Sequence, residues 1–385
     1  MSWPRARDAA RRAGHRSPAP AALHLELAEA YGHVLAEPLT ALTDLPAFDT
    51  AAMDGWAVAG PGPWRPTGRL LAGEPAAPLA DGAAVEIATG AQLPPGATAV
   101  LRREHGRGDG VLLHERTPGA LTPGQDVRPR GQECHRGDQL LAVGTPVGPS
   151  VLGLAAASGH DRLAVHRRPT VELLVLGDEL LDQGLPQPGR VRDALGPLLL
   201  PWLRAAGAEV LGRRPVRDDF GLLRDAVRHS PADVVVTTGG TAAGPVDFLH
   251  QALTAAGARL LVDGVAVRPG HPMVLAELPD GRHLVGLPGN PLAAVAGAVT
   301  LALPLLHRLG GRAAGAPRTL PAATDLPGHP HDTRLVPVRR TEHGVLPLAF
   351  DGPAMLRGLV LADALAVVAP GGVRAGAVVE LLPVP

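Results

Sequence analysis

Across 385 residues the chain has no lysine, one asparagine (Asn290), one isoleucine (Ile87), one tyrosine (Tyr31) and one cysteine (Cys134). A single cysteine excludes an intrachain disulfide and fits a reducing cytoplasm, and Cys134 reads as incidental. Without lysine, arginine carries every positive side chain apart from histidine. The net charge is −1, so no basic excess argues for nucleic acid or an anionic membrane surface. Long apolar runs are missing too. Gly, Pro and Arg interrupt each one before the ~18 residues needed to cross a bilayer, and the arginine-rich opening segment lacks the apolar core of a secretory signal. These absences predict a cytoplasmic protein with neither a membrane nor a nucleic-acid partner. The 48 glycines and 41 prolines raise disorder as an alternative, but apolar runs recur throughout and favour short strands joined by many turns.

The length predicts roughly two to four domains. Residues 1–45 and 140–168 read as an N-terminal linker and helical domain, with an opening helix, a second over 19–38 and a third after Pro149. From 46 to 139, short apolar pieces separated by Gly/Pro turns predict a β-rich insertion domain. In residues 169–310, apolar runs at 171–176, 208–211, 234–237 and 283–287 alternate with helix-like stretches at 198–206, 220–228, 248–256 and 292–309. That alternation predicts a doubly wound, mostly parallel α/β domain. Residues 311–385 return to β-like pieces and predict a small C-terminal β-domain. The fold class is therefore multidomain α/β plus β.

Ligands of parallel α/β sheets bind at the carboxyl ends of the strands, which gives the loops there special weight. The lone asparagine sits in one of them, Leu287-Pro288-Gly289-Asn290-Pro291, between an apolar run and an alanine-rich helix. Such a loop offers amides and an Asn side chain to an anion at a helix N-terminus, or an ordinary Asn cap with Pro in the first turn. Two further loops, Gly177-Asp178-Glu179 and Thr238-Gly239-Gly240 leading to Asp247, should open on the same edge. Gly239 and Gly240 let backbone amides approach a phosphate, and Glu179 with Asp247 supplies carboxylates of the kind Mg²⁺ requires. Each motif alone also reads as a plain turn or cap. The turn Arg268-Pro269-Gly270-His271-Pro272 sets two basic side chains three residues apart and suits an anion. In the insertion, Asp54 stands in the apolar context Met53-Asp54-Gly55-Trp56 and so calls for a partner.

Taken in order, these segments resemble the MoeA/gephyrin E-domain family of molybdopterin molybdenumtransferases. The motifs include Met53-Asp54-Gly55, Ile87-Ala88-Thr89-Gly90-Ala91, Gly177-Asp178-Glu179-Leu180, Arg217-Asp218-Asp219, Thr238-Gly239-Gly240 with Asp247, and Leu287-Pro288-Gly289-Asn290-Pro291. The resemblance covers nearly the whole chain and implies a molybdopterin-binding α/β domain. It also implies a homodimer whose cleft joins that domain of one subunit to the β-insertion of the other. The implied reaction inserts molybdate into adenylylated molybdopterin with release of AMP and needs a divalent metal, Mg²⁺. Carried over by position, Asp54, Thr89, Glu179, Asp218 and Asp247 are the catalytic set, with Glu179 and Asp247 as metal ligands. Gly239, Gly240, Arg268, His271, Pro288, Gly289, Asn290 and Pro291 bind the substrate. Contacts with the molybdopterin adenylyltransferase and with recipient molybdoenzymes are implied partners.

Several positions depart from the family pattern. Ala51, Ala242 and Ala293 replace serines, Ala194-Leu195 replaces a Ser-Asn pair, and Gly264, Arg268 and His271 replace lysines. These losses motivate a second function class, a non-catalytic relative that binds molybdopterin or a partner as carrier or scaffold. The adenylyltransferase of the same pathway is a third reading, against which the β-insertion and terminal β-domain argue.

Overall fold

The computed structural model describes residues 1–15, 22–241, 248–313 and 315–385. At its centre is a six-stranded sheet in the order Glu209–Val216, Thr170–Leu176, Val234–Thr238, His283–Leu287, Val274–Glu277, Arg259–Asp263. The first four strands are parallel, Val274–Glu277 runs antiparallel to both its neighbours, and the edge strand Arg259–Asp263 again points the way of the first four. The β-branched runs in the middle are buried on both faces, as parallel strands must be. Val171, Leu173 and Val175 join one core with the helix Leu195–Ala205, while Leu174 and Leu176 join another with the helices Phe220–His229 and Leu249–Ala255. Helices thus cover both faces. The antiparallel pair adds to the expected parallel set. Its strands flank the 264–272 turn, and their apolar stretches are too short to show a period of two.

The helical run after Asn290 spans Pro291–Leu309, with a widened turn at Ala298–Ala302 ahead of Pro304, which has no N–H to give to the Thr300 carbonyl. At 19 residues and mean hydropathy 1.7 it is long and apolar enough to cross a bilayer, even though Gly297, Pro304 and Arg308 interrupt its apolar run as expected from sequence. It is instead a core helix, 89% buried. The opening helix Trp3–Ala13 packs on it, with Trp3 Nε1 donating to the buried Thr300 hydroxyl (3.0 Å).

Residues 19–38 were expected to be helical. Among those described, Leu23–Glu26 is instead a strand paired with Arg162–Val165, followed by the single helical turn Leu27–Ala30. Cross-strand pairing of Leu25 with Leu163 outweighs the helical spacing there. The helix Pro149–Ala157 packs against that turn. In the insertion, a four-stranded sheet runs Arg65–Leu70, Ala83–Ile87, Gly55–Val58, Ala99–Arg102. The C-terminal sheet includes Thr333–Thr341, Ala364–Val368 and Val378–Leu382, and it takes its edge strand, Val267–Arg268, from the 264–272 segment.

Candidate active site

Register brings the strand-end loops together. Val175 is level with Thr238 and Thr238 with Leu287, so the residues that follow each strand emerge side by side. They line a cleft of about 590 Å³. Gly239 and Gly240 both adopt left-handed φ (87° and 67°), and the Gly239 amide donates to the Leu287 carbonyl (2.8 Å). Gly177, at φ 132°, has the Glu179 carboxylate lying over it: a Cβ there would stand 2.5 Å from Glu179 Oε2. Glycine at 177 therefore fixes where that carboxylate can go.

Three acidic side chains face the cleft in different states. Glu179 is exposed and has no hydrogen-bond partner among the described residues. Among the described residues Asp218 accepts only the Asp178 amide (3.2 Å). Asp193 is buried and fully used, taking the Leu195 and Gly196 amides (2.9 and 3.0 Å) and Arg213 Nη1 (3.1 Å). It anchors a helix start and a cleft wall, and its burial and three bonds set it apart from the open carboxylates of Glu179 and Asp218. Asp247, like Ala242, lies outside the described residues. No group of three His, Cys, Asp or Glu converges among the described residues. Mg²⁺ takes one or two carboxylates and completes its shell with water and substrate phosphates, so the free oxygens of Glu179 and Asp218 fit it.

Thr238 was missing from the sequence-derived set, whereas Arg192 was one of three cations, with Arg268 and His271, that the sequence offered for the anion. Thr238 is buried, and its hydroxyl has no partner among the described residues, so it is a donor and acceptor left unsatisfied beside the cleft. It stood inside the Thr238-Gly239-Gly240 motif, where the glycines drew the attention. Arg192 is the only cation lining the cleft among the described residues. It lies on the short strand Val191–Arg192, which pairs with Leu180–Leu181 beside Glu179.

Asn290 occupies the N-cap position of its helix, yet its side chain makes no cap hydrogen bond and it is exposed at the cleft. The expected anion site at this helix N-terminus needs correction. The Leu292 and Ala293 amides already donate to the Pro353 carbonyl (2.9 and 3.3 Å), and the neighbouring Ala354 lines the cleft. This loop of the C-terminal unit left no sequence signal, because its contact is made across some sixty residues of chain. Gly289 and Pro291 also line the cleft, whereas Pro288 is buried behind it.

Arg268 and His271 are not among the residues lining this cleft. Arg268 Nε donates to Asp332 (2.7 Å), and that bond holds the Asp332 carboxyl below the usual carboxylate range. His271 Nδ1 donates to the Val265 carbonyl (2.7 Å). Gly264 has φ 68°, a conformation that favours glycine over the lysine of the family pattern. Three other departures fall on packed positions, since Ala51, Leu195 and Ala293 are all buried.

Asp54 and Thr89 meet in the insertion. Pairing of Gly55 with Ile87 places the residues flanking the two strands together, and the Thr89 amide and hydroxyl both donate to Asp54 Oδ1 (2.7 and 3.0 Å). The amide first, then the hydroxyl, lowers the Asp54 pKa. Asp54 is exposed rather than half-buried, so its partner orients it more than it compensates burial. Gly55 has no room for a Cβ, which would fall 2.0 Å from the Leu101 carbonyl. Neither Asp54 nor Thr89 lines the cleft of its own chain.

Comparison with known proteins agrees over the whole length. Family models match the MoeA N-terminal region (domain I and II) at residues 2–159, a probable molybdopterin binding domain at 172–308 and the MoeA C-terminal region (domain IV) at 319–384. The chain is similar to molybdopterin molybdenumtransferases of Synechococcus elongatus (34% identity; 73% of each chain) and Nostoc (32%; 76% of this chain, 70% of the relative). A Staphylococcus epidermidis relative of the same name is 28% identical over 94% of this chain and 90% of its own. The fold matches a molybdopterin biosynthesis moeA protein of Pyrococcus horikoshii OT3 with TM-score 0.80 at 21% identity, covering 99% of both chains. On these grounds the chain belongs to the MoeA family.

Proposed function

We propose that this protein acts in molybdenum cofactor biosynthesis as a molybdopterin molybdenumtransferase, inserting molybdate into adenylylated molybdopterin with release of AMP. The observation that carries the reading is the cleft itself. Unengaged carboxylate oxygens on Glu179 and Asp218, an unpartnered Thr238 hydroxyl, an uncapped Asn290 and the Gly239-Gly240 backbone face one space. When bound, Mg²⁺ would be held by Glu179 and Asp218, joined in this proposal by Asp247, and would neutralise phosphate charge. Gly239 and Gly240 admit the phosphates, Asn290 and Thr238 orient the substrate by hydrogen bonds, and Arg192 supplies positive charge in place of the absent lysines. Arg268 and His271 stay outside this role. The protein works as a cytoplasmic homodimer, in which Asp54 and Thr89 of a second copy complete the cleft. Contacts with the adenylyltransferase and recipient molybdoenzymes belong to the same proposal.

A second reading, carrier without turnover, rests on the buried Leu195 and on Arg268 being tied to Asp332, both at positions where the family pattern has ligand-binding polar groups. AMP release from adenylylated molybdopterin, with molybdate and with Mg²⁺ present or chelated, separates the two. Metal-dependent release supports the transferase, whereas substrate binding without release establishes the carrier.

A further inference from the structure

We propose a second ligand site, for a tetrahedral oxyanion of the phosphate class, where the N-terminal and α/β units meet. A cavity of about 210 Å³ lies there between the 32–34 segment with His166 and Arg168, and the end of the long core helix with His307 and Arg312. Every titratable side chain lining it is basic, and no carboxylate does so. That is unusual in a chain whose 36 arginines face 37 carboxylates. The adjacent Arg167 shows the common arrangement, reaching both oxygens of Asp233 (2.8 and 3.0 Å). Arg168 instead donates from Nη2 to the Tyr31 carbonyl, and its Nε is buried without a partner. The Arg312 side chain has no partner among the described residues.

The backbone is shaped around these groups. Gly32 and Gly311 have φ 76° and 77°, and a Cβ would stand 2.7 Å from Arg168 Nη2 at the first and 2.1 Å from the His166 ring at the second. Burial, with Arg312 and Arg7 nearby, pushes His307 down to about 4, and burial lowers His166 too, so the fixed positive charge of the cavity comes from the Arg168 and Arg312 guanidinium groups. A guanidinium presents paired N–H donors that match two oxygens of a tetrahedral anion. A cation past a helix C-terminus also answers its dipole, which accounts for Arg312. It does not account for Arg168, which reaches the cavity from another segment with a buried donor unpaired.

The test is calorimetric titration of the full chain with inorganic phosphate, sulfate and glycerol 3-phosphate at constant ionic strength, against chloride. Wild type is expected to bind phosphate. Arg312→Gln should weaken that binding about 10-fold or more, the loss of one charge-assisted contact, and should do so equally in an Arg192→Gln background, where any phosphate held by the cleft of the proposed reaction is weakened separately. Phosphate binding should also move the His307 titration, followed by NMR, to higher pH. Glycerol 3-phosphate binding as tightly as phosphate assigns the site to a phosphoryl group on a larger molecule, and binding of phosphate alone assigns it to the free ion. The Arg312 side chain makes no hydrogen bond or ion pair among the described residues, and its amide bond to the His307 carbonyl survives substitution, so Arg312→Gln should leave the protein folded; Arg168→Gln provides a second variant. Phosphate binding no stronger than chloride, or binding lost through Arg192→Gln but not Arg312→Gln, overturns the proposal.

Discussion

Replacing Arg192 by glutamine removes the one positive side chain that lines the cleft among the described residues. Its position is on the surface strand Val191–Arg192, where it makes no contact the fold depends on, so the variant should fold normally. A charge-assisted hydrogen bond to a phosphate oxygen is worth ~1.5–3 kcal/mol, and at ~1.4 kcal/mol per factor of ten its loss lowers kcat/KM for AMP release about 10- to 150-fold. The comparison that gives this meaning is Arg268→Gln. Arg268 is engaged by Asp332 in a half-exposed pair, worth ~0–1 kcal/mol to stability, and should change kcat/KM less than about 3-fold. Steady-state AMP release by both variants decides the matter. An unchanged kcat/KM in Arg192→Gln, or a larger loss in Arg268→Gln, would refute the assignment of Arg192 as the cleft's cation.

Asn290→Ala tests whether the single asparagine serves ligand or helix. With no cap bond to lose, chemical unfolding should shift by less than ~0.5 kcal/mol while AMP release falls, whereas a true cap costs ~0.5–2 kcal/mol. The Asp54 carboxyl should titrate below its ordinary 3.8, and Thr89→Val should bring it part of the way back, since the larger amide contribution stays; carbon-detected NMR reads both. Because its folded pKa is depressed, the stability linked to Asp54 is complete above about 3.8 and lost as pH falls through the folded value. The same sign applies to buried His307, whose contribution is complete above 6.5 and is lost between there and about 4, to the extent of ~3 kcal/mol. Urea unfolding at pH 7 and pH 5 should show that slope in wild type and a flatter one in His307→Gln.

The strand-end logic was legible because it depends on local signals. The mainly apolar runs before Gly177, Gly239 and Pro288 are largely buried on both faces, and the parallel register then makes their loops neighbours without further information. The helix over Phe220–His229 was equally plain, since Asp219 caps it through the Leu222 amide (2.8 Å). Non-local events were not legible. Pairing with Arg162–Val165 turned part of the expected helix over 19–38 into a strand. The Pro353 carbonyl took the helix donors that sequence had offered to an anion, and Asp332 took Arg268. Thr238 shows a third limit: nothing local distinguishes a hydroxyl that a neighbour will satisfy from one left open to a ligand.

The account's central claim is a cleft completed by two copies, with Glu179 and Asp218 from one and Asp54 and Thr89 from the other. Mixing two inactive proteins, Asp54→Ala and Glu179→Ala, tests it directly through AMP release. Random pairing makes about half the dimers mixed, each with one intact cleft, so activity should return to roughly a quarter of wild type. Activity that stays at the level of the separate variants would show that no working cleft is shared between subunits, and would contradict the account.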